Sequence, residues 1–142
     1  MSAGCLIIAA PASGSGKTVI TLGLLRALKQ RGVPVSSFKI GPDYIDPAFH
    51  TAASERVCVN LDSWAMRLDT IAGLLDQQAQ DSEVVIGEGV MGLFDGAPDG
   101  RGSSADLASL LVVPVLLVVD ALRMGASAAA VVEGFLRHRA DV

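Results

Sequence analysis

"GCLIIAAPASGSGKTVITLGLLRALKQRG", residues 4–32, reads as three consecutive pieces whose order decides the fold. Residues 4–10 form an unbroken aliphatic run, the pattern of a strand covered on both faces. Residues 16–32 have the spacing of an amphipathic helix, with Lys29, Gln30 and Arg31 ahead of a terminating Gly32. Between them lies APASGSGKT (10–18), which has what phosphate binding requires. Its glycines let backbone N–H groups approach an anion, and the helix N-terminus adds positive potential. Lys17 reaches outer phosphates and the Thr18 hydroxyl suits Mg²⁺. Ser13, Gly14, Ser15, Gly16, Lys17 and Thr18 are therefore the expected nucleotide contacts. The strict G-x-x-x-x-G-K-[ST] pattern would place glycine at position 11, where Pro11 stands. A glycine-rich turn that happens to precede a helix is the plainer reading, but the flanking strand and helix favour nucleotide binding.

Outward from this unit the chain keeps alternating. Strands are expected at 33–40, 82–88 and 113–120, and helices at 67–80, 104–112 and 125–139. Such alternation implies an α/β fold with a mostly parallel sheet between helical layers, a three-layer sandwich of the P-loop NTPase type. After LRHRADV the chain stops where a further strand would be due, so a truncated sheet from a longer protein is expected.

Composition narrows the class. The 142 residues are 51% hydrophobic but only 4% aromatic, so the core must be built from Val, Leu, Ile and Ala. No apolar run approaches the roughly 20 residues of a membrane span, and Met1 is not followed by a basic region with a cleavage site. A cytoplasmic protein without membrane association is expected. Cys5 and Cys58 lie far apart with no CxxC or Cys/His spacing, which argues against a metal cage or a disulfide framework. A net charge of −4 without a basic cluster makes nucleic acid an unsuitable partner.

In a parallel sheet, ligands collect at the carboxyl ends of the strands, so polar residues just past each aliphatic run are the first candidates. FKIGPDYIDPAFH (38–50) holds Lys39, Asp43, Tyr44 and Asp46 between Pro42 and Pro47. It reads either as a rigid turn with solvated carboxylates or as a metal and substrate platform, and the adjacent phosphate loop favours the platform. Glu88, between Gly87 and Gly89, ends a strand and suits Mg²⁺ or an attacking water. Asp95 is either a turn residue or a substrate contact. Asp120 could serve the same purpose as Glu88, but the helix entry after it favours capping or switch-loop hydrogen bonding; His50 reads as a structural or surface histidine without a visible partner, and Trp64 as a packing residue.

Taken in order and spacing, APASGSGKT, FKIGPDYIDPAFH, NLDSW (60–64), GEGVMGLFDG (87–96) and PVLLVVDALRMGASAAAVVEGF (114–135) resemble the amino-terminal part of the cobyrinic acid and hydrogenobyrinic acid a,c-diamide synthases. The resemblance spans essentially the whole chain. It implies that residues 1–142 are the amino-terminal part of an ATP-binding synthetase domain related to dethiobiotin synthetase. The reaction implied is ATP- and Mg²⁺-dependent phosphorylation of the a and c side-chain carboxylates of a tetrapyrrole, followed by amidation with glutamine-derived ammonia. On that analogy Lys17 holds the triphosphate, and Thr18, Asp46 and Glu88 are the Mg²⁺ candidates. Asp43 shares the metal or orients substrate, Lys39 neutralises the transferring group, and Tyr44 and Asp95 face the ring. The Cys-His-Glu glutaminase domain of such enzymes is missing here, since neither Cys5 nor Cys58 sits in a nucleophile elbow. On this reading the chain alone is inactive. Alternatives are a dethiobiotin-synthetase-like ligase, an amidase acting on a nickel tetrapyrrole, and a regulatory P-loop ATPase. The last is disfavoured because Ala12 stands where a partition ATPase has its signature lysine. Oligomeric state, a homodimer included, is left open.

Overall fold

A computed structural model describes residues 3–142. The chain runs β1 (Gly4–Ala9), α1 (Lys17–Gln30), β2 (Val35–Ile40), α2 (Asp46–Ser54), β3 (Val59–Leu61), α3 (Leu68–Ala79), β4 (Val84–Glu88), α4 (Ser104–Leu111), β5 (Val115–Leu117) and α5 (Ser127–His138). The five strands form one sheet in the order β3-β2-β4-β1-β5, every pairing parallel. The expected α/β sandwich of the P-loop type is thus the fold observed.

Strand alternation divides the core in two. Ile8, Val35 and Ile86 pack with Leu25 of α1 on one face. Ile7, Phe38, Ile40 and Val85 pack with Ile71 of α3 and Leu107 of α4 on the other. Gly87 is required on this second face, because a Cβ there would lie 2.4 Å from two Phe38 ring atoms. The α4 helix opens on a reciprocal cap, with Ser103 Oγ accepting from Asp106 N and Asp106 Oδ2 accepting from Ser103 N.

Two elements were not anticipated from the sequence. The α2 helix starts inside FKIGPDYIDPAFH, where Asp43 Oδ1 accepts from the N–H groups of Ile45 (2.8 Å) and Asp46 (2.9 Å) and Pro47 occupies the first turn. It is nine residues long and buries only His50 and Ser54, too little for a visible apolar period. The β3 strand is three residues long and joins the sheet only through β2. At the other edge, β5 spans 115–117 rather than the expected 113–120, and α5 begins at Ser127 and buries no residue. Asp120 forms a turn by accepting from Leu122 N, and so lies ahead of the helix rather than capping it. No helix among the described residues is long and apolar enough to cross a membrane.

Candidate active site

The phosphate loop is shaped by two glycines in left-handed conformation, Gly14 (φ +78°) and Gly16 (φ +91°). Such angles are strained for any residue with a side chain. Ser13 is exposed, and Ser15 Oγ donates to Ala12 O. Lys17, at the start of α1, is buried and donates to Ala12 O at 3.1 Å and to Met91 O at 2.6 Å. Gly89–Asp95 is thereby stitched to the phosphate loop, and Leu93 N adds a bond to Ala10 O. Gly92 permits this approach, since a Cβ there would lie 2.5 Å from Pro11 O. Burial lowers the Lys17 pKa and the Lys39 charge lowers it further, against the attraction of Glu88, Asp95 and Asp46.

Parallel register brings the rest together. Lys39 of β2 is level with Glu88 of β4, and Glu88 is level with Ile8 of β1, immediately before the phosphate loop. Register partners share a face, so both side chains point toward α1 and α2. There the Lys39 ammonium donates to Asp46 Oδ2 (2.7 Å), Glu88 Oε1 (2.9 Å) and Gly89 O (3.2 Å), and lies 3.9 Å from Asp43 Oδ2. Thr18 Oγ1 donates to Glu88 Oε1 at 2.5 Å and is 3.5 Å from Asp46 Oδ2. Five of the sequence candidates, Thr18, Lys39, Asp43, Asp46 and Glu88, therefore form one cluster.

The cluster has a sixth member that the sequence did not disclose. His50 is fully buried, with Nε2 2.6 Å from Glu88 Oε2 and Nδ1 3.5 Å from Cys58 Sγ. Of the two readings the sequence left, a structural or a surface histidine, burial selects the structural one, and the partners invisible in the sequence are Glu88 and Cys58. A signal existed, because Asp46 and His50 are one helical turn apart, but using it required recognising α2. Asn60 was also missed. Its Nδ2 donates to Gly41 O (2.9 Å) and Asp43 O (2.7 Å) and ties the acidic loop to β3.

Burial raises the Glu88 pKa, but hydrogen bonds from His50, Thr18 and Lys39 outweigh it and bring it down to about 2. Burial lowers that of His50, but bonding to Cys58 and Glu88 outweighs it and raises it to about 9. Lys39 behaves alike: burial works against its charge, yet Asp46 and Glu88 leave its pKa raised. Asp43 is lowered, because the Asp46 and Ile45 amides overcome its partial burial. At neutral pH the buried centre is Lys39⁺, His50⁺ and Glu88⁻.

Three oxygen-bearing groups converging beside a phosphate loop fit a hard cation, and Mg²⁺ commonly takes few protein ligands because phosphates and waters complete its shell. Among the described residues no group of three or more His, Cys, Asp or Glu side chains would hold a metal by itself. The remaining candidates are less integrated. Tyr44 is 92% exposed, Asp95 Oδ2 accepts from Gly92 N at 2.9 Å and holds its own loop, and Trp64 is exposed rather than packed. Cys5 lies in β1, with burial pushing its thiol up to about 11, and Cys58 is buried behind His50. Neither sits in a nucleophile elbow.

Residues 6–141, from β1 through α5, match the CobQ/CobB/MinD/ParA nucleotide binding domain. The chain belongs to this family. Within the family it is 57% identical over 137 residues to a hydrogenobyrinate a,c-diamide synthase of Rhizobium meliloti, covering 96% of this chain and 32% of that protein. The Brucella ovis protein of the same name is 60% identical over 137 residues, 96% of this chain and 31% of the relative. That of Mesorhizobium japonicum is 54% identical over 145 residues, all of this chain and 33% of the relative. The chain thus spans about a third of the length of these relatives. Membership in a nucleotide-binding family agrees with the phosphate loop despite Pro11.

Proposed function

We propose that this chain is the amino-terminal part of the synthetase domain of an ATP-dependent, glutamine-hydrolysing amidoligase of cobalamin biosynthesis, acting in the cytoplasm. Its acceptor is a hydrogenobyrinate-type tetrapyrrole whose a and c side-chain carboxylates become amides. The relatives' names and the extent of the match support the substrate class. The observation that carries the chemistry is the buried cluster of Lys39, Asp46 and Glu88 against Thr18, beside Lys17.

A carboxylate is a poor electrophile because its charge repels nucleophiles, so it has to be activated. One acceptor carboxylate oxygen attacks the γ-phosphorus of ATP, the bond to the β-phosphate bridging oxygen breaks, and ADP leaves. Ammonia then attacks the acyl carbon, inorganic phosphate departs, and a proton is released. Little covalent work falls to the protein, which must position the groups and neutralise charge. Lys17 exchanges its two carbonyl partners for phosphate oxygens, and the loop amides hold the rest of the triphosphate. Lys39, kept charged by Asp46 and Glu88, faces the transferring phosphoryl group and the incoming carboxylate. Thr18, Asp46 and Glu88 would hold Mg²⁺, which supplies further positive charge beside the phosphates. Asp43 shapes the acidic loop by accepting hydrogen bonds from the Ile45 and Asp46 amides, and Tyr44 and Asp95 border the acceptor. Ammonia arrives from a glutaminase domain outside residues 1–142, and later parts of such an enzyme would cover β5 and α5.

The test is ADP formation by the full-length protein supplied with Mg²⁺-ATP, hydrogenobyrinate and ammonium. Turnover should require all three, and hydroxylamine should trap the activated carboxylate as a hydroxamate. ADP formation indifferent to hydrogenobyrinate would refute the proposal.

A further inference from the structure

A cavity of about 360 Å³ opens where the loops after β2, β3 and β4 meet, with Pro42, Trp64, Val90 and Met91 among its walls. It borders the phosphate site at two points. Asp43, part of its wall, lies 3.9 Å from the Lys39 ammonium, and the carbonyl of Met91, also part of its wall, accepts from Lys17 at 2.6 Å. Two large apolar side chains in this wall are open to solvent, Trp64 at 60% and Met91 at 44% exposure. Exposed apolar groups lining a concavity, rather than scattered over a convex surface, mark a ligand site.

Trp64 is held in place rather than left loose. Asp62 Oδ1 accepts from the N–H groups of Trp64 (2.9 Å) and Ala65 (3.2 Å). Behind it stands Gly102 in left-handed conformation (φ +81°), where a Cβ would lie 2.8 Å from the Trp64 Cβ. The charges in the wall do not favour an anion. Asp43 and Asp62 are acidic, and the one cation, Arg101, is already paired to Asp99 at 2.7 and 2.9 Å. At about 360 Å³ the space is at the small end of the roughly 300–1,000 Å³ of ligand pockets, enough for an edge of a macrocycle but not the whole.

We propose that this cavity takes an apolar edge of the acceptor macrocycle, with Trp64 stacked against it. The acidic wall keeps the carboxylate arms outside, except the one delivered past Asp43 to Lys17 and Lys39. This inference rests on the tetrapyrrole reading above and adds its specificity-determining residue. Stacking on Trp64 orients the ring before chemistry, so its loss weakens acceptor binding more than it slows turnover.

The experiment compares the full-length wild-type protein with Trp64→Ala and Trp64→Phe, measuring KM for hydrogenobyrinate under saturating Mg²⁺-ATP and ammonium, and Kd for the nucleotide separately. Trp64→Ala should raise KM about tenfold with a smaller fall in kcat and unchanged nucleotide affinity, and Trp64→Phe should recover most of the loss. An unchanged KM in Trp64→Ala overturns the subsite while leaving the proposed reaction standing. Weakened nucleotide binding with unchanged KM also overturns it, because the cavity would then serve the base of ATP. If the wild-type protein shows no hydrogenobyrinate-dependent turnover, the tetrapyrrole reading fails and the inference falls with it.

Discussion

Replacing His50 with glutamine keeps a hydrogen-bond donor beside Glu88 but removes the capacity for charge, and the cost should depend on pH in a way the structure specifies. Bonding to Cys58 and Glu88 raises the His50 pKa from 6.5 to about 9 against the opposing effect of burial. At about 1.4 kcal/mol per pH unit, that gap amounts to about 3 kcal/mol of stability. Because the folded-state value is the higher one, the contribution is fully present below about pH 6.5 and is lost as pH rises through about 9. It should have fallen to about 1.4 kcal/mol near pH 8 and be nearly gone by about pH 9.5. Glu88 has the opposite sign: its pKa is lowered from 4.5 to about 2, so its contribution is present above 4.5 and lost as pH falls toward 2. Both contributions are therefore complete between 4.5 and 6.5. The assay is urea unfolding of wild type and His50→Gln from about pH 6 to 9.5, with chelator and without nucleotide. The stability difference should shrink steadily across that range. A difference that stays constant would refute a charged His50 paired with Glu88.

Three further outcomes follow from the same geometry. Lys17→Ala should weaken Mg²⁺-ATP binding by tenfold or more, on the order of 1.4 kcal/mol, in calorimetric or fluorescence titration; equal affinities would remove Lys17 from the phosphate site. Lys39→Met should nearly abolish acceptor-dependent ADP formation while nucleotide binding persists, since it leaves Asp46 and the buried Glu88 without their shared cation; retained turnover would show that Lys39 has no role in the transfer. Gly87→Ala should lose about 1–3 kcal/mol of stability through overpacking, because its Cβ would meet the Phe38 ring at 2.4 Å and Ile7 Cγ1 at 3.0 Å; thermal unfolding at the wild-type temperature would contradict this packing.

Local pattern was enough for the elements whose cause is local. The strand, glycine loop and helix of residues 4–32 can be read from periodicity and from glycines that accept left-handed angles, and the structure has them. Lys39, Asp43, Asp46 and Glu88 stood out as polar groups at strand ends in an aliphatic chain. The short α2 and β3 did not stand out, because an element that buries one or two side chains leaves no period to detect. Tertiary structure decided which of these groups meet. Pairing of β2 with β4, and of β4 with β1, sets Lys39 and Glu88 level with each other beside the phosphate loop, a consequence of long-range sheet order that no local spacing encodes. The same packing gave His50 its role. In the sequence it is one histidine in a turn-like segment, and only the α2 helix laid over the sheet places it 2.6 Å from a buried carboxylate, where bonding to Cys58 and to that carboxylate holds it protonated against the opposing effect of burial.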